Sequence, residues 1–142
     1  MELVLAHRNM DFDCLASQLA VTKLYPAARI APAQPLSPRM KNFLSLYRDQ
    51  LPLVDLQYID ENSVAHVFVV DCHSVERLDD RARRFFLGFL ERGSGSYTIF
   101  DHHDNEDNAL LEQARHDSIL KTVGSAATIL VEILRERKVA LS

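Results

Sequence analysis

The sequence predicts an α/β fold, a mostly parallel sheet with helices on both faces. Two observations predict it. Three short, unbroken apolar runs have the length and composition of strands buried on both sides: Leu3 to Ala6, His66 to Val70 and Tyr97 to Phe100. The stretches between them carry apolar residues at helical spacing, and strands alternating with helices pair in parallel.

The elements follow in order. Leu3 to Ala6 is a strand that stops at His7, and Asp13 to Tyr25 is a helix with Leu15, Leu19, Val21 and Leu24 on one stripe, ended by Pro26. Ala28 to Ala31 is a short strand, Ala31 to Pro38 a proline-rich loop, and Arg39 to Asp49 a helix. His66 to Val70 is the clearest strand, stopping at Asp71. Leu78 to Glu91 is a helix, Arg92 to Ser96 a turn, and Tyr97 to Phe100 a strand stopping at Asp101. His103 to Asn108 is a polar loop, Ile119 to Val123 a last strand, and Ser125 to about Lys138 a long amphipathic helix.

Length and composition bound what such a chain does. The 142 residues fit a single domain, and 47% hydrophobic with 25% charged residues supports a packed core. A net charge of -4 argues against gripping long nucleic acid by bulk electrostatics, and suits a carboxylate-rich site whose charge a bound metal offsets. No run approaches the roughly 20 apolar residues that cross a bilayer, and the first residues lack a signal-peptide pattern. Cys14 and Cys72 stand in no metal or redox spacing and read as reduced thiols near the core, which places the chain in the cytoplasm. The sequence leaves the oligomeric state open.

In open α/β sheets, ligands collect at the carboxyl ends of strands. Three strands here end in His7, Asp71 and Asp101-His102-His103. His7, Asp11 and Asp13 share one strand-to-helix turn, where aspartate is also an ordinary helix cap, so that stretch alone decides nothing. Asp71 reads either as a ligand or as a cap, with Ser74 a competing cap. Two adjacent histidines beside Asp101 are harder to explain without chemistry, because a carboxylate orients an imidazole through its other nitrogen. Imidazole with several carboxylates suits Mn²⁺ or another borderline divalent ion rather than Ca²⁺ or a thiolate zinc site. Two ions about 3.5–4 Å apart clamp the attacking and leaving oxygens of a displacement at phosphorus. Gly124-Ser125 opens the last helix, either presenting backbone N–H groups to a phosphate or simply capping.

Taken together, these stations resemble the DHH phosphoesterases. His7-x-x-x-Asp11-x-Asp13-x-x-x-Ser17 is similar to that family's first motif, and Val69-Val70-Asp71 to its second. Asp101-His102-His103 is similar to the namesake third, and Gly124-Ser125-Ala126-Ala127-Thr128 to the fourth. The resemblance implies that His7 and Asp11 hold one metal, Asp13 and His102 the other, and that Asp71 bridges them. It implies that His103 contacts the scissile phosphate or helps protonate the leaving group, that Asp101 orients a histidine, and that Ser17 supports the first motif. It implies two Mn²⁺ ions, with Mg²⁺ or Co²⁺ as alternatives, and a nucleotide or short single-stranded oligonucleotide as substrate.

A further metal-binding aspartate and a glycine-rich substrate-binding domain, usual in the family, have no counterpart before Ser142. The expectation is a DHH domain that is a fragment of a longer protein. Its last stretch, Val131 to Ser142, resembles versions joined to CBS modules and a tRNA nucleotidyltransferase or poly(A) polymerase-like module. Such a chain is expected to fold and bind metal but to turn over slowly or not at all. The competing readings are a nucleotide-sensing module of an RNA-processing protein and a manganese-dependent pyrophosphatase-like domain. His66, His73, His116 and Asp117 read as polar residues outside the site. Arg77, Arg81, Arg83 and Arg84 read as a solvated helix face, and Phe85, Phe86 and Phe89 as core.

Overall fold

A computed structural model describes residues 1–72, 74–93, 95–101, 119–120 and 135–136 of the chain. The strands are β1 (Glu2–Ala6), β2 (Ala28–Ile30), β3 (His66–Val70), β4 (Ser96–Asp101) and β5 (Ile119–Leu120). All pair in parallel, in the order β2-β1-β3-β4-β5. The α/β architecture therefore stands, and among the described residues the sheet is wholly parallel. The helices are α1 (Phe12–Leu24), α2 (Pro38–Leu46) and α3 (Asp80–Arg92).

The side-chain alternation of each strand builds two cores. Val4, Ala6, Phe68, Val70 and Phe100 meet α1 and α2 on one face. Leu3, Leu5, Val67, Val69, Tyr97 and Ile99 meet Phe85, Phe86 and Phe89 of α3 on the other. The phenylalanines of α3 are thus core, as expected. The arginines beside them make exposed ion pairs, Arg83 with Asp80 at 2.9 Å and Arg81 with Asp55 at 3.4 Å.

Boundaries move where a side chain sets them. α1 starts at Phe12 because Asp11 is its cap, accepting from the Cys14 N–H. α2 starts at Pro38 behind the Ser37 cap, proline being suited to the first helical position, and it stops at Leu46, short of the expected Asp49. α3 starts at Asp80 rather than Leu78, since Asp79 caps it, and it ends on Gly93 in the left-handed region at φ 74°. Single 3₁₀ turns at Leu56–Tyr58, Glu61–Ser63 and Val75–Arg77 are each opened by one side-chain oxygen, from Asp55, Asp60 and Ser74. The expected last strand appears as Ile119–Leu120 beside β4. Of the expected final helix, only Arg135 and Glu136 fall within the described residues, and both are helical. No helix among the described residues is long and apolar enough to cross a membrane.

Register and connectivity fix where a site can form. Ala6 pairs with Val70 and Val70 with Phe100, so His7, Asp71 and Asp101 stand level, one step past the same row. The chain leaves β1 for β2 in one direction and builds β3, β4 and β5 in the other. The crevice at that reversal lies outside the carboxyl ends of β1 and β3.

Candidate metal centre

His7 follows β1 directly, in a loop tied at both ends. The Arg8 N–H donates to the Arg77 carbonyl at 2.7 Å, and Met10 is buried, its sulfur accepting from the Ala33 N–H at 3.3 Å. The ring of His7 is oriented by its own loop: Nδ1 lies 2.6 Å from the Arg8 carbonyl oxygen. A carbonyl only accepts, so Nδ1 carries the hydrogen. That leaves Nε2 facing Asp71 Oδ2 at 3.0 Å and Cys14 Sγ at 2.8 Å.

Asp71 sits at the end of β3 with φ 62°, in the left-handed region that costs an ordinary residue roughly 1–2 kcal/mol and an aspartate less. Its N–H still donates to the Phe100 carbonyl at 2.9 Å, so the sheet ladder holds the residue while the backbone turns. Such strain persists where surrounding structure over-determines it, and it gathers at functional sites. Asp71 is buried and does not cap the following turn, a role that Ser74 takes.

Asp11 is both cap and cluster member. One carboxylate oxygen accepts from the Cys14 N–H at 2.9 Å, and a carboxylate has two. Cys14, on the first turn of α1, turns its sulfur inward and donates to Asp71 Oδ2 at 3.0 Å. Ligand atoms of His7, Asp11, Cys14 and Asp71 all lie within 4.8 Å of one another.

The electrostatics follow from this crowding. The hydrogen bond to Asp71 raises the His7 pKa above its ordinary value, against the opposing effect of burial. Burial, then the bond to Asp71, pushes the Cys14 thiol up, so it stays protonated. Without a metal, protons hold a carboxylate, an imidazole nitrogen and a sulfur together. A divalent cation satisfies the same lone pairs with more charge, and the nitrogen, oxygen and sulfur donors fit one.

The other expected residues divide into those placed and those outside the described residues. Asp13 is half-buried in the first turn of α1, outside the group of four. Ser17 Oγ donates to the Asp13 carbonyl at 2.9 Å, a contact within the helix. Asp101 ends β4, fully buried and level with Asp71. His102, His103, Gly124 and Ser125, with His73, lie outside the described residues. His66 opens β3 as expected and is buried, with Ser96 Oγ at 2.6 Å and Thr98 Oγ1 at 2.8 Å from its ring nitrogens.

Cys14 is the residue that the motif reading missed. Pairwise cysteine spacing holds no trace of it, whereas its place three residues after a capping aspartate, beside a strand-end histidine, does. Cys72 is buried in the opposite core with Val69 and Leu78, as expected of a packed thiol.

A family model of the DHH family, N-terminal domain, matches residues 3–141. The chain belongs to the DHH family. It is a domain of the metal-dependent phosphoesterase type. This DHH domain is similar to an A-adding tRNA nucleotidyltransferase of Geobacter sulfurreducens, 27% identical over 143 residues. The match covers 100% of this chain and 15% of that protein. The chain thus spans a small part of the length of the curated relative it matches.

The loop after β2, α2 and the start of α3 line a cleft of about 610 Å³. Lys41, Arg48 and Arg81 stand on its walls, and none of the four clustered residues lines it.

Proposed function

We propose that this DHH domain hydrolyses a phosphodiester or phosphoanhydride bond in a nucleotide or short single-stranded oligonucleotide, with divalent cations as cofactor. The observation that carries the reading is the buried His7–Asp71 pair at the reversal of the sheet, where a strained aspartate is aimed at an oriented imidazole. In this reading His7 and Asp11 would hold one ion, Asp13 and His102 would hold a second, and Asp71 would serve both. Asp101 orients a neighbouring histidine, and Ser17 supports the turn that carries Asp13. His103 would contact the scissile phosphate or hand a proton to the leaving group, and Gly124 and Ser125 would offer backbone N–H groups to a phosphate. The bound ions, Mn²⁺ with Mg²⁺ or Co²⁺ as alternatives, supply electrostatic stabilisation of charge developing on phosphoryl oxygens.

The relative supports a second reading, in which the domain senses a nucleotide within a larger RNA-processing polypeptide that also carries a nucleotidyltransferase module. The observation favouring it is length: the matched region is 15% of a protein named for nucleotide addition to tRNA. A pyrophosphatase-like reaction uses the same donors but needs a further domain to close over its substrate.

Incubating the chain with short oligonucleotides, cyclic dinucleotides and pyrophosphate in Mn²⁺ separates these readings. Turnover that disappears in Asp71→Ala supports hydrolysis, and the substrate cleaved names the branch. Nucleotide binding without turnover moves the conclusion to the sensing module.

A further inference from the structure

We propose that Cys14 is a sulfur ligand of this metal centre, so that the chain holds Co²⁺ and Zn²⁺ in marked preference to Mn²⁺. The inference rests on the metal-binding part of the reading above, adds a ligand to it and replaces Mn²⁺ as the preferred ion. His7 Nε2, Asp71 Oδ2 and Cys14 Sγ form a triangle with sides of 3.0, 2.8 and 3.0 Å. A cation that takes the nitrogen and the oxygen meets the sulfur in the same place. The sulfur is not on a loose loop: its backbone N–H is pinned to Asp11, and it sits on the first turn of α1 above β1 and β3. Cys72, by contrast, belongs to the core cluster under α3 with Val69, Leu78 and Phe86. Cys14 touches apolar Ala6 and Met10 as well, but its reactive atom faces an imidazole and a carboxylate.

Sulfur alters which ion is preferred. Oxygen and imidazole donors accept Mn²⁺ and Mg²⁺, whereas a thiolate selects softer ions and widens the usual advantage of Co²⁺ and Zn²⁺. On binding, the S–H bond breaks, a sulfur–metal bond forms and one proton leaves to solvent.

Titrating the full chain with Co²⁺ tests this directly, because a cobalt–thiolate bond gives a charge-transfer absorption in the near ultraviolet that oxygen and nitrogen ligands lack. The band is expected to grow to saturation in the wild-type chain and in Cys72→Ala, and to be absent in Cys14→Ser and Cys14→Ala. Zn²⁺ affinity in Cys14→Ser is expected to fall at least about tenfold, the smaller loss seen when a ligand's supporting partner is removed. Mn²⁺ affinity changes less. Cys14→Ser keeps a small polar group in the buried position, and circular dichroism checks that it folds. Calorimetric binding of Co²⁺ by the wild-type chain without the band overturns the sulfur ligand and leaves the metal centre standing. A band that persists in Cys14→Ser also overturns it. No Co²⁺ or Mn²⁺ binding at all overturns both readings together.

Discussion

Asp71 combines a left-handed backbone at φ 62° with a buried carboxylate that faces His7 and Cys14 through the same oxygen. Alanine at this position keeps the backbone strain and removes its purpose. Asp71→Ala is therefore expected to lose measurable affinity for divalent ions by calorimetry, and unchanged affinity removes Asp71 from the centre. The His7 contact sets a pH dependence in the metal-free chain. Its folded pKa lies above the ordinary 6.5, raised chiefly by the hydrogen bond to Asp71. A raised histidine contributes stability that is complete below its unfolded pKa and is lost as pH rises through the folded one. With chelator present, the melting temperature should fall as pH climbs above about 6.5. Asp71→Asn, which tolerates the left-handed backbone and removes the charge, should flatten that fall. A wild-type profile as flat as the variant's rejects the pair as the cause.

Among the elements, α3 depends on one side chain more than its length suggests. Asp79 accepts from the Ala82 N–H to cap the helix and from the Gln34 N–H across the cleft, both at 2.9 Å. Asp79→Ala leaves two backbone donors short of a partner and should lower stability by about 1–2 kcal/mol in urea denaturation. A change within error means that water replaces both contacts. The strands were the most legible elements, because burial on both faces forces Val67, Phe68 and Val69 to be apolar without interruption. The 3₁₀ turns at Leu56–Tyr58 and Glu61–Ser63 were not legible, since each depends on one Asp oxygen rather than on periodicity. Asp11 shows why the first motif was ambiguous in sequence. The capping and cluster readings were set against each other, and the folded residue does both. The partners of His66, Ser96 and Thr98, are supplied by strand register, which no local pattern records.

At the scale of the molecule, the centre exists only when the sheet does. His7 and Asp71 are 64 residues apart in the chain, and Asp11 and Cys14 reach them through the packing of α1 against β1. The order of strands was what the sequence could not give. Apolar runs predict that strands pair, but the reversal between β1 and β3, which makes the crevice, follows from connectivity that composition does not encode. A site built from separated segments is scattered in the unfolded chain, so an ion that binds it binds the native state almost alone. Linkage then makes binding visible as stability: free ion at a hundred times Kd adds about 2.7 kcal/mol. For a domain of this size that is a rise of roughly 10 °C in Tm. The rise should scale with the logarithm of ion concentration and vanish in Asp71→Ala, whose lesion lies in the centre. It should survive in Asp79→Ala, whose carboxylate is not one of the four grouped ligands. Equal rises in all three proteins mean that the ions bind elsewhere, for instance at exposed carboxylates, and the convergence of β1, α1 and β3 then has no metal to explain it.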